Sequence, residues 1–481
     1  MSISAALNSA ISGLSATSRA TELVSVNIAN AMTPGYGVRS LTLASSGIGP
    51  GVQVIGVHRH SNPVLIANRR VAEAEYVAAQ ARADFFSRAE YLIGTPDSAQ
   101  SIGGRLASFD ASLISAASKP DSPERLQDVV NSALGLTKSL NSASEGVRDM
   151  RNLADRSIGT MVDQLNAALR QVQDLNTQIT ALGGSGGAAS LLDQRQQVID
   201  QINQIVPISI ADRPNGQVTL YSEGGAILLD GQAATIGFDP VTETMPHMTV
   251  ENGALSGLTL NGIAIETNGT RGPLRGGALG AQFAIRDELA VELQADLDAV
   301  ARDLVERFED PALDPTIAAG MPGLFADGAT AFDPADEIGL AGRVSINPAV
   351  DPLNGGETWR LRDGLGAAAP GAPGDASLLQ GLSDALTAPR VLNSGDFGSS
   401  ALSAASVSNA LMSRIGLDTN AALGKLGFSS ASLTELSHLE QSEGVDTDAE
   451  MQSLLILEQA YAANAKVIQA VDEMMDALMR L

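Results

Sequence analysis

The chain of 481 residues carries 55 acidic and 30 basic side chains, which gives a formal net charge of −25 at pH 7. This balance argues against nucleic acid as a partner, because phosphate neutralisation requires clusters of Lys and Arg. The chain has no cysteine, so disulfides, thiolate metal sites and cysteine nucleophiles are excluded. Aromatic residues are 3% of a chain that is 44% apolar, which favours thin helical bundles and an elongated shape.

The first predicted element is a helix that begins near Ile3 and has no charged side chain within residues 1–18. Its apolar residues, including Leu7, Leu14 and Ile28, follow spacings of three and four, which is typical of a seam between two helices. No part of it has the features of a cleaved secretory signal, and no segment of the chain has the roughly 18 continuous apolar residues of a membrane helix. We therefore expect no membrane partner.

A strong turn signal follows this helix and includes Asn30, Thr33, Pro34, Gly35 and Tyr36. Pro34 keeps the preceding residue out of the helical region, and Gly35 can supply the positive φ of a tight turn. Residues 38–60 are predicted to be extended, with valines among glycines that indicate a short hairpin. Residues 1–60 therefore form the first predicted unit, which consists of a helix, a turn and a hairpin.

The middle of the chain is predicted to change from helix to strand and back. Helical periodicity covers residues 61–205, with breaks at 119–123 and 183–187. Short strand-like runs separated by Asn-Gly, Gly-Gly and Asp-Gly pairs then predict an inserted antiparallel β domain over residues 206–275. Residues 276–375 begin as a return helix and continue as an irregular outer segment rich in Pro, Gly and Asp.

The remainder of the chain is again helical, with residues 376–446 followed by a final helix over residues 447–481. Residues 447–450 have the spacing of a capping box, which would start this helix. Its seam positions repeat the spacing of the first helix and are Leu454, Leu457, Tyr461, Asn464, Ile468, Val471, Met475 and Leu478. Asn464 in such a seam is typical of a polar residue that sets the register, and a solvent-facing Asn is the alternative.

The two seams have two explanations. The pattern alone allows a coiled coil between the two ends of one chain, and it also allows packing between copies. Helices draw most of their stability from packing, and the position of these helices at the extremities of the chain favours the second explanation. The order of helices, strands and helices predicts an α+β, elongated, multidomain protein in which both chain ends form a long-helix bundle with an inserted antiparallel β domain.

Two clusters of polar residues could indicate a metal site, but neither has a complete ligand set. His58 and His60 lie on one strand face without a fixed acidic partner, which favours a structural or exposed pair. The acidic residues near Asp327 lack the Gly and Glu placement of an EF-hand loop, so a solvated loop is expected; they are Asp327, Asp333, Asp336 and Glu337. No nucleophile elbow, phosphate loop or His-Glu-x-x-His motif occurs, so we predict a non-enzyme without cofactor or metal.

Several stretches resemble one known group of proteins. Residues 29–36 resemble the Ala-Asn-x-x-Thr-Pro-Gly-Tyr signature of the axial proteins of the bacterial flagellum. Within that group the chain is most similar to the hook-associated proteins, in the Leu-Asp-Gln-Arg run of 192–195, in the Gly-rich run of 276–280, and in the Gln-Ala-Tyr-Ala-Ala-Asn run that begins at Gln459. It departs from the family's pattern at Gln196, where an acidic residue is usual.

The resemblance implies a structural protein that joins the flagellar hook to the filament. It implies an inner tube formed by the terminal helices, with the seam positions and the turn residues 30 and 33–36 as the polymer interface. The implied partners are copies of the chain, the hook protein, the next hook-associated protein of the junction, and an export chaperone at the C-terminal helix. The implied location is extracellular. The alternatives are another hook or rod subunit, and a secreted adhesin-like module whose helices hold up a ligand-binding β domain.

Overall fold

The computed structural model describes residues 3–33, 35–45, 51–182, 188–268, 271–318 and 320–480. Long helices and small antiparallel sheets make up these residues, so the predicted α+β class is confirmed. The accessible surface of the chain is 23676 Å², whereas a compact protein of its mass exposes about 16,800 Å². This excess of surface confirms the predicted elongated shape.

Helices form most of the described chain: α1 Ile3–Ala29, α2 Pro63–Ile93, α3 Ile102–Ser118, α4 Pro123–Ala181, α5 Ala188–Ile205, α6 Gly277–Ala284, α7 Ala290–Phe308, α8 Arg360–Asp363, α9 Ser377–Thr387, α10 Ala404–Ser442 and α11 Thr447–Met479. The break predicted at 119–123 is confirmed between α3 and α4, and the break predicted at 183–187 lies outside the described residues. A π-helical turn, Ile285–Leu289, interrupts the predicted return helix between α6 and α7.

The start of α11 corrects one detail of the prediction. The helix begins at Thr447, but the cap is Asp446, whose Oδ1 accepts hydrogen bonds from the backbone N–H groups of Asp448 and Ala449 at 3.0 and 3.1 Å. The predicted capping box is therefore wrong, because the carboxylate one residue earlier already satisfies the first free N–H groups. Glu450, the acid of that predicted box, instead contacts α1.

The strands form four small antiparallel sheets in the described residues: β1 Val38–Ser45, β2 Val52–His60, β3 Ile208–Asp212, β4 Val218–Ser222, β5 Ile227–Asp230, β6 Gln232–Ala233, β7 Ile236–Gly237, β8 Leu258–Leu260, β9 Ile263–Ile265, β10 Phe325–Asp327 and β11 Val344–Ile346. Strands β1 and β2 form the predicted hairpin. The sheets β3-β4-β5-β6 and β7-β8-β9 fall within the predicted insert. Strands β10 and β11 lie in the segment that was predicted to be irregular. They were not predicted, because strands of three residues are too short to show an alternating pattern.

Two hydrophobic clusters share the long helix α4. The first contains the N-terminal half of α4 with α3, α7, α9 and parts of α2 and α10, and it includes three phenylalanines in edge-on contact. These are Phe109, Phe308 and Phe325, with ring centroids 5.3 to 6.0 Å apart. The second cluster contains the C-terminal half of α4 with α5, α6 and strands β4 to β8. Helix α4 therefore connects the helical bundle to the sheets.

Arg286 lies in the π-helical turn and is fully buried. Its Nη1 donates to Asp155 Oδ1 at 2.6 Å, and its Nε donates to Asp287 Oδ1 at 2.8 Å. The guanidinium also lies over the ring of Phe283, 4.9 Å from its centroid. Bonding to Asp287 and Asp155 outweighs the effect of burial and leaves the pKa of Arg286 above its usual value. The guanidinium of Arg286 therefore stays charged and joins α4 to the π-helical turn through its carboxylate partners.

Asp298 on α7 gives the first testable prediction, a pH dependence of stability. Burial raises the pKa of this carboxyl to about 6, although the N–H groups of Ala341, Gly339 and Gln294 donate to it. The folded chain therefore holds this proton at pH values where the unfolded chain has released it, so the stabilisation is complete below pH 4 and is lost as the pH rises through 6. Between pH 5 and 7 the free energy of unfolding should fall by about 1 kcal/mol from this group.

The measurement is denaturant unfolding at pH 5 and pH 7 for the natural chain and for Asp298→Asn, which has no proton to release. The natural chain should lose about 1 kcal/mol more than the variant over this interval. Identical pH dependence in the two proteins would contradict the assignment.

Candidate assembly surface

Helices α1 and α11 pack against each other in an antiparallel pair. Glu450, in the first turn of α11, accepts a hydrogen bond from Asn27 near the end of α1. Asn464, further along α11, lies against Gly13, where a Cβ would come within 2.9 Å of the Asn464 side-chain amide. Both contacts fit one antiparallel register. Gly13 therefore leaves the space that the polar residue of the seam occupies.

The predicted interface residues are only partly covered by this pair. Val471 is buried, with 3% of its surface exposed. Half-buried positions are Leu7, Leu14, Ile28, Asn30, Gly35, Tyr36, Leu454, Leu457, Asn464 and Ile468. Exposed positions are Thr33, Tyr461, Met475 and Leu478. Pro34 lies outside the described residues. A single chain thus brings the two seams together but does not bury them.

A second apolar face of α11 is uncovered. Ile456, Val467 and Met474 are 65%, 43% and 46% exposed, and they lie on one side of the helix next to the seam. The sequence analysis missed these three residues, because they do not follow the three-and-four spacing of the seam. Exposed apolar side chains that lie together on one face of a long helix are typical of an interaction site.

The turn after α1 has the predicted geometry at its glycine. Gly35 has φ of +75°, which favours glycine. Tyr36, the next residue, donates a hydrogen bond from its hydroxyl to Asn27 Oδ1 at 2.7 Å. Burial raises the pKa of the Tyr36 hydroxyl, and the guanidinium of Arg39 stacks on its ring 4.9 Å from the centroid. The turn is therefore bonded back onto α1.

Asn27 is the residue of this region that the sequence analysis missed. Its amide is 1% exposed and is fully bonded: Nδ2 donates to Arg39 O and Glu450 Oε1, and Oδ1 accepts from Tyr36 Oη and Arg39 N. It joins α1, α11, the turn and β1. Residues 24–29 are mostly apolar but contain Ser25 as well as Asn27. A polar residue at such a position is equally typical of the exposed side of a helix, so the sequence gives no distinguishing signal for Asn27.

Asp193 on α5 connects this region to the rest of the protein. Its carboxylate accepts from Arg39 Nη2 and Arg59 Nε, both at 2.6 Å, and from the backbone N–H of Gly37 at 3.1 Å. Gln196, where the sequence departs from the family's pattern, accepts from Arg59 Nη2 at 2.6 Å. The hairpin is thus fixed to α5 by two arginines through one carboxylate and one amide.

The other predicted clusters have structural explanations. The rings of His58 and His60 lie 4.5 Å apart on the exposed hairpin. In the described ranges, no group of three or more His, Asp or Glu side chains is placed to hold a metal ion. Asp327 is paired with Arg343 at 2.9 Å and Glu337 with Arg302 at 2.6 Å, so the acidic segment is partly neutralised rather than simply solvated.

The helices of the described segments differ in length and in apolar content. None of these helices combines the length and apolar content needed to cross a bilayer.

Three family models match the chain. Residues 86–311 match the model described as the flagellar hook-associated protein FlgK helical domain. Residues 7–36 match the flagella basal body rod protein model, and residues 437–481 match the flagellar basal body rod FlgEFG protein C-terminal model. The two shorter matches contain most of α1 and all of α11.

The chain is also similar to individual proteins. Flagellar hook-associated protein 1 of Escherichia coli strain K12 is 26% identical over the full length of both chains. Flagellar hook-associated protein 1 of Salmonella typhimurium is 31% identical over 48% of this chain and 44% of its own. The solved structure of the flagellar hook junction protein FlgK from Burkholderia pseudomallei has 20% identity and a TM-score of 0.43, covering 55% of this chain and 47% of that one.

Proposed function

Because the chain belongs to the flagellar hook-associated protein 1 family, and is therefore a structural component of the flagellum at the hook-filament junction, we propose that its copies assemble there through α1 and α11. One observation carries this proposal: the two helices pair within the chain and still leave apolar side chains of α11 exposed. The proposed interface comprises the seam positions, the turn at residues 30 and 33–36, and the second face at Ile456, Val467 and Met474.

Burial of these side chains supplies the free energy for assembly. Each large apolar side chain that passes from water into a packed interface contributes about 1.5 to 3 kcal/mol. This gain must exceed the entropy lost when subunits and side chains become fixed. A surface that already presents several matching helices buries more of the exposed α11 side chains than one free copy does, so growth from the tip of the hook is favoured over free polymerisation.

The same exposed face supports the proposed partners. These are copies of the chain, the hook protein, the next hook-associated protein of the junction, and an export chaperone. An apolar stripe on α11 would promote aggregation inside the cell, so a chaperone that covers it before export fits the surface. The proposed location is extracellular, at the junction of hook and filament. We propose no catalytic role.

The rod and hook alternative is disfavoured by the middle of the chain. The rod-type models match only the two ends, whereas the match over residues 86–311 is to the helical domain of the hook-associated protein. That segment contains α3, α4, α5 and the seven short strands β3 to β9. The junction role is therefore the better supported of the two.

Deletion of residues 447–481 tests the proposal. The deletion removes α11, whose contacts in the described structure are mainly with α1, so the two hydrophobic clusters should stay folded while incorporation into flagella and swimming are lost. Incorporation is measured by immunoblotting of isolated flagella from cells that lack their own copy of the gene, and thermal unfolding of the purified protein verifies the fold. The full-length chain expressed in the same way is the control.

A secreted adhesin-like module predicts the opposite result. Its binding domain would remain functional without α11, and the shortened chain would have no reason to disturb swimming. Normal motility with the truncated chain present in isolated flagella would therefore overturn the junction proposal.

A further inference from the structure

Helices α2 and α10 form an antiparallel pair beside the first hydrophobic cluster. Thr419 Oγ1 donates to Phe86 O at 3.3 Å, and Lys425 Nζ lies 3.3 Å from Glu75 Oε2. These contacts fix the relative level of the two helices. Residues 417–428 of α10 lie beside residues 75–88 of α2, with the numbering running in opposite directions.

The side of α10 that faces away from α2 is apolar and uncovered. Leu417 and Phe428 are 70% and 68% exposed. Ala421 and Gly424 lie between them on the same side, since spacings of four, three and four residues keep a helix face constant. A Cβ at Gly424 would meet no atom within 4 Å. This face, which we call the α10 ridge, presents two large side chains separated by a shallow stretch.

The side of α2 that faces away from α10 borders an open groove of about 320 Å³. The groove lies between α2, α4 and α6, and its apolar lining includes Ala81, Phe85, Met150, Leu153 and Met161. Leu153 is 48% exposed. The volume corresponds to on the order of ten water molecules. Methionine-rich apolar grooves adapt well to an inserted side chain.

The ridge and the groove lie at the same level on opposite sides of the α2–α10 pair. A surface and its complement on opposite sides of one subunit form a head-to-tail contact, which produces a ring or a helical array when repeated. We propose that the α10 ridge of one copy of the chain packs into the groove of the next copy, with Phe428 inserted between α2 and α4. This contact rests on the proposed function in one respect, because it requires that many copies assemble side by side.

The charges around the two surfaces support a second copy as the occupant. Asp418 lies beside the ridge, and Arg88 lies exposed at the edge of the groove. Because Thr419 lies level with Phe86, two copies that stand at the same level bring Asp418 opposite Arg88. This pair of opposite charges favours a second copy at that level.

The absence of cysteine from the chain allows a direct test by cross-linking. Phe428→Cys combined with Ala81→Cys places one thiol on the ridge and one in the groove. Mild oxidation of isolated flagella should then give a ladder of covalent multiples of the chain. The matched control combines Phe428→Cys with Arg82→Cys, which is exposed at the same level of α2 but turned away from the groove, and this control should give no ladder.

The outcomes separate this contact from the proposed function. Incorporated Phe428→Cys/Ala81→Cys chains that form no ladder would overturn the contact alone, as would dimers formed by Phe428→Cys without a second cysteine, since these indicate ridge-to-ridge packing. If that variant does not fold, Asp418→Cys with Arg88→Cys tests the same contact at the edge of the groove and should give the ladder. Absence of the parent chain itself from isolated flagella would overturn the proposed function and the contact with it.

Discussion

A chain that carries Ile468→Asp is expected to fold normally in its two hydrophobic clusters and to be missing from isolated flagella. Ile468 is a half-buried seam residue of α11. In the proposed assembly its side chain is covered by neighbouring helices, so the substitution places a carboxylate without a partner in an apolar interface. The cost is a few kcal/mol for each subunit, and it recurs at every copy. Incorporation should fall by at least tenfold, since about 1.4 kcal/mol already changes an equilibrium tenfold.

Gln469→Asp is the matched control. It introduces the same carboxylate one residue later, on an exposed side of α11 away from the seam, and should leave incorporation and swimming close to normal. The readout is the amount of chain in isolated flagella, compared with the amount in whole cells. Equal incorporation of the two variants would show that the seam is not an interface between copies.

The second large effect is expected at Arg286, inside the protein. Arg286→Met should lower the free energy of unfolding by about 3 to 5 kcal/mol. The substitution removes the cation of a buried ion pair and leaves the carboxylates of Asp155 and Asp287 without it. Asp155, 1% exposed, would lose its bond to the guanidinium and retain the bond from the backbone N–H of Val241. The measurement is denaturant unfolding of the purified chain at constant pH.

Arg148→Met provides the comparison on the same helix, α4. Arg148 is 34% exposed at its side chain, and its contacts with Glu145 and Glu243 are 3.4 and 3.5 Å long. Exposed pairs of this kind contribute about 0 to 1 kcal/mol. If both variants lost the same small amount of stability, the buried cluster would not hold α4 and the π-helical turn together.

The elements with a regular period could be predicted from the sequence. The stripes of α1 and α11, the turn at Gly35, the hairpin after it and the start of α11 at Thr447 each depend on residues close together in the chain. Local propensity and side-chain spacing determine such features directly. The resemblance to axial proteins rests on these same segments, because their motifs consist of residues that are adjacent in the sequence.

Features that depend on distant residues could not be predicted in the same way. Asn27 meets Glu450 across 423 positions, and Arg286 meets Asp155 across 131. A buried polar side chain has the same local signature as an exposed one until its partner is known. The π-helical turn was missed for a related reason, since residues 285–289 continue a helical pattern and are distinguished only by the buried Arg286 that they position.

The four bonds of Asn27 have a consequence for fidelity. The amide is satisfied only when the turn has closed on Tyr36 and when Glu450 has arrived in the correct register. A chain whose last helix is displaced by even one turn would bury an amide with a missing bond, at a cost of about 1 to 3 kcal/mol. Asn27 therefore favours the correctly aligned α1–α11 pair over a displaced one within the chain.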